Sequence, residues 1–200
     1  MLNTGACPIC ALPQCRGAPC PDCQQSRSRL LDSITAPYLY EPHIAWLITR
    51  WKYEKQEYLA ATAARLMLTA CVGPPSCDVV LATPMHWWRE FRRGFNQAEA
   101  LRAALGLAGP GVRAGRSQPR LVRTRATRGQ AGATRHQRHT QLQHAFALRG
   151  CIRGLSVLLI DDVCTTGATA NAMAAVLREA GAREVHLWCL ARTPTRSPAS

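Results

Sequence analysis

Two adjacent carboxylates follow the most strongly apolar segment of the chain. The run from Val157 to Ile160 is entirely aliphatic, and Asp161 and Asp162 come directly after it. A strand this apolar is typical of a parallel sheet that is covered on both faces. Ligands of such sheets bind at the carboxyl ends of the strands. We therefore expect the two acids to lie where a ligand binds.

A turn of small residues follows the acids and has the composition of a phosphate-binding loop. Gly167 lets the backbone approach a ligand, and the next helix adds N–H groups and the positive end of its dipole. The expected phosphate contacts are Cys164, Thr165, Thr166, Gly167, Ala168 and Thr169. Because carboxylates repel phosphate, we expect Asp161 and Asp162 to bind sugar hydroxyls or a divalent ion. The alternative is an ordinary strand, turn and helix in which these residues only cap the helix.

Four cysteines near the start form two pairs with metal-ligand spacing. Cys7 and Cys10 are separated by two residues, as are Cys20 and Cys23, and nine residues lie between the pairs. Four thiolates make a closed tetrahedral zinc site, and a module this small needs a bound metal to stabilise its fold. The alternatives are an iron–sulfur cluster or redox-active pairs. Cys15 is a spare thiol or replaces one ligand.

The excess of positive charge indicates a polyanionic partner. The chain has 25 Lys and Arg against 12 Asp and Glu, and no carboxylate occurs between Glu99 and Asp161. Nucleic acid, a nucleotide or pyrophosphate would match this excess. The alternative is that the arginines reflect base composition and serve only solubility. We find no membrane-spanning segment or secretory signal and therefore expect a cytoplasmic protein with reduced thiols.

An aromatic pair lies beside several arginines. Trp87 and Trp88 precede Arg92 and Arg93, which combines stacking surfaces with cations as in proteins that hold single-stranded nucleic acid. The alternative is that one tryptophan packs in the core and the other closes the rim of the site. We expect Trp46 and Trp51, at helical spacing, to be core residues.

Strand and helix patterns alternate in the order that gives a parallel α/β sheet. Helices are predicted at about 42–52, 57–69, 96–107 and 169–181. Strands are predicted at 78–82, 157–160 and 185–190. Residues 111–142 are predicted to be a long mobile loop with at most one short element. We divide the chain into a cysteine module at 1–35, a main domain at 36–192 and a disordered tail at 193–200.

Residues 157–169 resemble the motif with which type I phosphoribosyltransferases bind phosphoribosyl pyrophosphate (PRPP). The match covers four hydrophobic residues, two acids and the Thr-Thr-Gly turn. The resemblance implies a type I phosphoribosyltransferase fold with helices flanking the sheet. It also implies that Asp161 and Asp162 contact the ribose hydroxyls and that residues 164–169 hold the 5′-phosphate.

Further segments are similar to the ComF family of competence-associated proteins, which carry an N-terminal cysteine module. They are residues 84–86, 92–98, Arg123 to Gln130, Arg138 with Ala145-Phe146, and 188–192. One position departs from the family, because Gln141 stands where its pattern has asparagine. The resemblance implies a role in DNA uptake during transformation or in DNA use.

Three functions are compatible with this resemblance. The first is a phosphoribosyltransferase that uses Mg²⁺ with PRPP, its acceptor unknown. The second is an adaptor for single-stranded DNA whose pocket is only a sensor or scaffold. The third is a zinc module that docks on a DNA-uptake protein. The cations for pyrophosphate or nucleic acid are expected to be Arg92, Arg93, Arg123, Arg125 and Arg138.

Overall fold

A computed structural model describes residues 1–26, 29–53, 56, 58–70, 75–107, 119–124 and 145–194. Its helices are α1 (Pro21–Gln25), α2 (Pro42–Tyr53), α3 (Leu59–Ala70), α4 (Trp87–Arg93), α5 (Gln97–Ala104) and α6 (Ala168–Glu179). Its strands are β1 (Ser33–Thr35), β2 (Tyr38–Leu39), β3 (Val79–Ala82), β4 (Arg120–Arg123), β5 (Phe146–Arg149), β6 (Ser156–Cys164) and β7 (Glu184–Arg192). None of the described helices is long and apolar enough to cross a membrane.

The main sheet is parallel and is built around β6 and β7. The strand order is β1-β7-β6-β3, and β2 pairs with β7 beyond the end of β1. β3 pairs with β6 only as far as Ala82 opposite Ile160, whereas β7 follows β6 to Cys164 opposite Arg192. The predicted parallel α/β sheet is confirmed. β4 and β5 form a separate antiparallel pair.

The aliphatic run of β6 is buried on both faces, as its composition predicts. Its four residues, 157–160, have no exposed surface. Val157 and Leu159 pack into a core with α6, whereas Leu158 and Ile160 pack into a second core with α2, α3 and α5. Side chains alternate along a strand, so helices on both faces are needed to bury such a run.

The cysteine module packs against one edge of the sheet. The backbone N–H of Ile34 in β1 donates to the carbonyl of Ile9, and Leu2 forms an isolated bridge with Tyr38 of β2. The N-terminal segment is therefore attached to the strands that pair with β7. This attachment brings the module close to the carboxyl end of the sheet.

The structure corrects several predicted elements. α5 ends at Ala104, short of the predicted Leu107, and β6 continues past Ile160 to Cys164, so that both acids lie within the strand. α1, α4, β1, β2 and β5 were not predicted. β4 is one short element within residues 111–142. Residues 111–118 and 125–142 of that predicted loop, and 195–200 of the predicted tail, lie outside the described residues.

Candidate functional site

Asp161 and Asp162 lie where β6 continues without its neighbour β3. On the β3 side of β6, the last backbone hydrogen bond runs from Thr83 N to the carbonyl of Ile160. Beyond it, the N–H of Asp162 donates to Asp161 Oδ1 and the N–H of Val163 donates to Asp162 Oδ1, both at 2.8 Å. The carboxylates thus accept hydrogen bonds from backbone N–H groups of β6 just past the point where β3 ends. This arrangement holds both acids at the carboxyl edge of the sheet.

Lys52 is a member of the site that the sequence analysis missed. It lies in the last turn of α2, and its Nζ is 2.5 Å from Asp162 Oδ2. Asp162 is only 7% exposed, so this cation is the main compensation for a nearly buried charge. The only available sequence signal was composition, because Lys52 is one of two lysines in the chain.

The environment of Asp161 favours its protonated form. Burial, followed by repulsion from Asp162, raises the pKa of Asp161 from 3.8 to about 7, although Lys52 acts in the opposite direction. A carboxyl group with a pKa so far from its ordinary value is typical of functional sites. A ligand that supplies a divalent cation or hydroxyl donors would favour the charged form.

The turn after β6 presents its polar groups to solvent. Thr165 and Thr166 are exposed, and Thr166 Oγ1 accepts a hydrogen bond from the N–H of Ala168 at 3.3 Å. Gly167 has φ 77°, in the left-handed region that favours glycine, and no side chain caps α6 at this position. The Cys164 side chain is buried, which raises its pKa, so it packs as a small apolar group.

Two of the predicted arginines lie near this end of the sheet. Arg93 places its guanidinium 5.7 Å from the centre of the Tyr53 ring, and Tyr53 is the residue after Lys52. Arg123 lies over the ring of Phe146 and lines a cavity of about 730 Å³ between β3, β4, α4 and α5. The cavity includes Ala82, whose strand partner directly precedes Asp161. Arg92 is exposed on α4, and Arg125 and Arg138 lie outside the described residues.

The four predicted metal ligands form a single cluster. The Sγ atoms of Cys7, Cys10, Cys20 and Cys23 all lie within 4.8 Å of one another. Zinc–sulfur bonds of about 2.3 Å in a tetrahedron place sulfurs about 3.8 Å apart, so the spacing fits a metal ion. None of the nine described cysteines is in a disulfide. The cluster can therefore hold a metal such as zinc.

Backbone donors favour the thiolate form of Cys7, whereas burial raises the pKa of Cys10 and of Cys23. Burial opposes the Cys7 thiolate, but backbone N–H groups, that of Cys20 foremost, outweigh it and lower the pKa of Cys7 to about 6. The N–H of Cys20 lies 3.3 Å from Cys7 Sγ. Cys15 instead directs its thiol to the carbonyl of Pro13, so it is the spare cysteine.

Helix α4 presents an exposed aromatic surface, formed by Trp87, Trp88 and Phe91. These residues are 67%, 52% and 78% exposed, so neither tryptophan packs in the core. Trp88 and Phe91 are stacked, with ring centroids 6.2 Å apart and an interplanar angle of 20°. The His86 ring accepts a hydrogen bond from Trp88 N and caps the helix. Trp51 is buried as predicted, but Trp46 is 59% exposed, so its core assignment was wrong.

Comparison with known proteins places these features in a family. The model of the phosphoribosyl transferase domain family matches residues 98–200. The DNA utilization protein YhgH of Salmonella typhi is 32% identical over 196 residues, which cover 94% of this chain and 84% of that protein. Competence protein F of Haemophilus influenzae is 29% identical, covering 86% of this chain and 78% of the relative. Competence protein ComFC of Bacillus subtilis is also 29% identical, covering 88% and 72%.

Proposed function

The chain belongs to the ComF-type competence and DNA-utilization proteins that carry a phosphoribosyl transferase domain, and from that premise we propose that it binds PRPP or a related ribose phosphate with Mg²⁺ at the end of β6. One observation carries the proposal. Two carboxylates are held at the carboxyl edge of a parallel sheet, separated by two residues from a Thr-Thr-Gly turn whose threonines are exposed and which opens α6. This arrangement offers groups for ribose hydroxyls and for a phosphate side by side.

Each part of the ligand has chemically matched residues in this proposal. The phosphate lies against the turn and the first N–H groups of α6, where Thr165 and Thr166 donate from their hydroxyls. Asp161 and Asp162 accept hydrogen bonds from the ribose hydroxyls. Lys52 and Arg93 provide positive charge on the side of α2 and α4, which suits pyrophosphate.

Mg²⁺ bound with the ligand would offset the charge of pyrophosphate as it leaves C1′ of the ribose. The acids would hold the sugar while the bond from C1′ to the pyrophosphate oxygen breaks. We propose binding as the common property of the site. Transfer of the phosphoribosyl group from C1′ to an acceptor nucleophile, with release of pyrophosphate, would make the protein a phosphoribosyltransferase, whereas binding without transfer would make it a sensor.

Calorimetric titration with PRPP in Mg²⁺ tests this site. We expect the wild-type protein to bind and an Asp161→Asn/Asp162→Asn double variant not to bind. Glu179→Gln is the matched control, because this exposed carboxylate lies at the opposite end of α6. Equal affinity in the double variant, or no binding by folded, zinc-loaded wild type, would contradict the proposal.

We also propose that the cysteine cluster holds a structural zinc ion. The donor set consists of four thiolates, which close the coordination shell and leave no position for substrate. The small apolar cluster of the module includes the cysteines themselves, so the metal would supply much of its stability. Unpaired thiols are expected in a reducing compartment, which agrees with a cytoplasmic location. Docking of this module on a DNA-uptake protein stays a prediction.

The aromatic surface of α4 favours a second function, the binding of single-stranded DNA. Trp87, Trp88 and Phe91 offer exposed stacking faces, and Arg92 on the same helix is exposed and cationic. Bases stack on such platforms while arginines contact phosphates, so binding would be steeply salt-dependent.

Fluorescence anisotropy with a labelled single-stranded oligonucleotide separates this function from the first. We expect Trp88→Ala to weaken binding by about fivefold or more, the loss of one stacked base. Trp46→Ala, which removes an equally exposed tryptophan from α2, should leave affinity unchanged. Equal loss in both variants, or binding that salt does not weaken, would exclude the α4 surface as the DNA site.

A further inference from the structure

Arg192, the last residue of β7, connects the cysteine cluster to the turn after β6. It is 4% exposed, and its Nε donates to the carbonyl of Cys10 at 3.1 Å. Its Nη1 donates to the carbonyl of Cys164 at 2.9 Å and also to that of Thr165. One buried guanidinium therefore joins the backbone of a metal ligand to the first residues of the turn.

The contacts of Arg192 orient the peptide groups of the turn. In a planar trans peptide the carbonyl and the following N–H point in opposite directions. When the carbonyls of Cys164 and Thr165 face the buried Arg192, the N–H groups of Thr165 and Thr166 are directed away from it. Thr165 and Thr166 form the exposed part of the turn. Arg192 thus sets which way the phosphate-facing donors point.

The cysteine cluster in turn holds Arg192. Cys10 belongs to the Cys7–Cys10 pair, whose backbone conformation is fixed when its thiolates bind a metal. A divalent ion with four thiolate ligands is a net anion, which suits a neighbouring cation. Among the described residues no carboxylate lies within 4.0 Å of the Arg192 guanidinium. The metal-bound cysteine pair would therefore hold the Cys10 carbonyl in place as an acceptor for Arg192 and would also provide a favourable negative charge.

We propose that Arg192 is a positioning residue through which metal occupancy of the cysteine cluster sets the conformation of the ribose-phosphate turn. The ligand part of this inference rests on the proposed function, but the link between metal and turn does not. Linkage is reciprocal, so zinc raises ligand affinity and the ligand raises zinc affinity by the same factor. We expect a factor of about five or more, the lower end for such linkages.

Hydrogen exchange tests the link without any ligand. We expect zinc removal to accelerate amide exchange at residues 164–168 in the wild type, while β3 in the core is unaffected. Unchanged exchange at the turn would overturn the proposal. An equal rise at β3 would also overturn it, because the metal would then only hold the whole fold together.

Zinc affinity, measured by chelator competition with and without PRPP and Mg²⁺, tests the ligand part. The wild type should bind zinc about five times more tightly with ligand, and Arg192→Lys should lose this gain, because one ammonium cannot reach both segments. Arg183→Lys, at an exposed arginine before β7, is the control that keeps it. A gain that survives in Arg192→Lys would overturn the role of Arg192. If the zinc-loaded wild type binds no PRPP, the proposed function fails, but the hydrogen-exchange experiment still tests the link between the metal and the turn. That experiment uses only the wild type, so it also tests the link if Arg192→Lys does not fold.

Discussion

Replacing Asp161 by asparagine should stabilise the folded protein while removing ligand binding. Burial, followed by repulsion from Asp162, raises the pKa of Asp161 from 3.8 to about 7. Each unit of difference between folded and unfolded pKa corresponds to about 1.4 kcal/mol. The ionised carboxylate therefore costs the fold up to about 4 kcal/mol well above pH 7. Asparagine keeps the shape of the side chain and removes this charge.

The sign of the pH dependence follows from the raised pKa. Between pH 4 and 7 the folded state binds more protons at Asp161 than the unfolded state does. The contribution of Asp161 to the free energy of unfolding therefore falls as pH rises from about 4 to about 7 and is constant above that range. We expect Asp161→Asn to raise the free energy of unfolding by about 2 kcal/mol at pH 5.5 and by about 4 kcal/mol at pH 8.5.

Urea unfolding in Mg²⁺-free buffer checks this gain, with the fluorescence of the buried Trp51 and Trp188 as the signal. Glu179→Gln is the charge-matched control, and its stability should follow the wild type at both pH values. An Asp161→Asn variant that is no more stable than wild type at pH 8.5, or whose added stability does not grow with pH, would refute the raised pKa of Asp161. The same variant should show no binding in a titration with PRPP and Mg²⁺.

Two further variants probe the ion pair and the metal cluster. Lys52→Met leaves Asp162 nearly buried without its cation, which costs about 3 to 5 kcal/mol for a buried pair. The Lys52 side chain is 24% exposed, so urea unfolding at pH 7 should show a loss near the lower figure, and an unchanged midpoint would contradict the pairing. Cys20→Ser should abolish zinc binding in a metal-release assay, whereas Cys15→Ser should keep one zinc per chain; the reverse would mean that Cys15 is a ligand.

The strand, turn and helix that carry the acids could be predicted because their signals are local. The aliphatic run, the two carboxylates and the turn are contiguous from residue 157 to 169, so no tertiary information was needed. The cysteine spacing was informative for the same reason. The length of β6 was not predictable, because its last residues are strand only through pairing with β7.

The features that the sequence did not reveal depend on contacts between distant segments. Lys52 reaches Asp162 across more than a hundred residues, and no periodicity reports such a contact. Trp46 and Trp51 share one helical pattern, but only Trp51 faces α3 and the sheet, so their burial differs. α4 is only seven residues long and contains no aliphatic residue, so it lacks the aliphatic periodicity that predicted the buried helices.

Mapping the ligand onto the backbone tests the central claim most directly. Amide resonances of the zinc-loaded protein can be followed by two-dimensional NMR as PRPP and Mg²⁺ are added. We expect the largest shifts at residues 161–170, with smaller ones at the end of α2 around Lys52. Shifts confined to α4, or no shift at the turn with saturating ligand, would contradict a ribose-phosphate site at the end of β6.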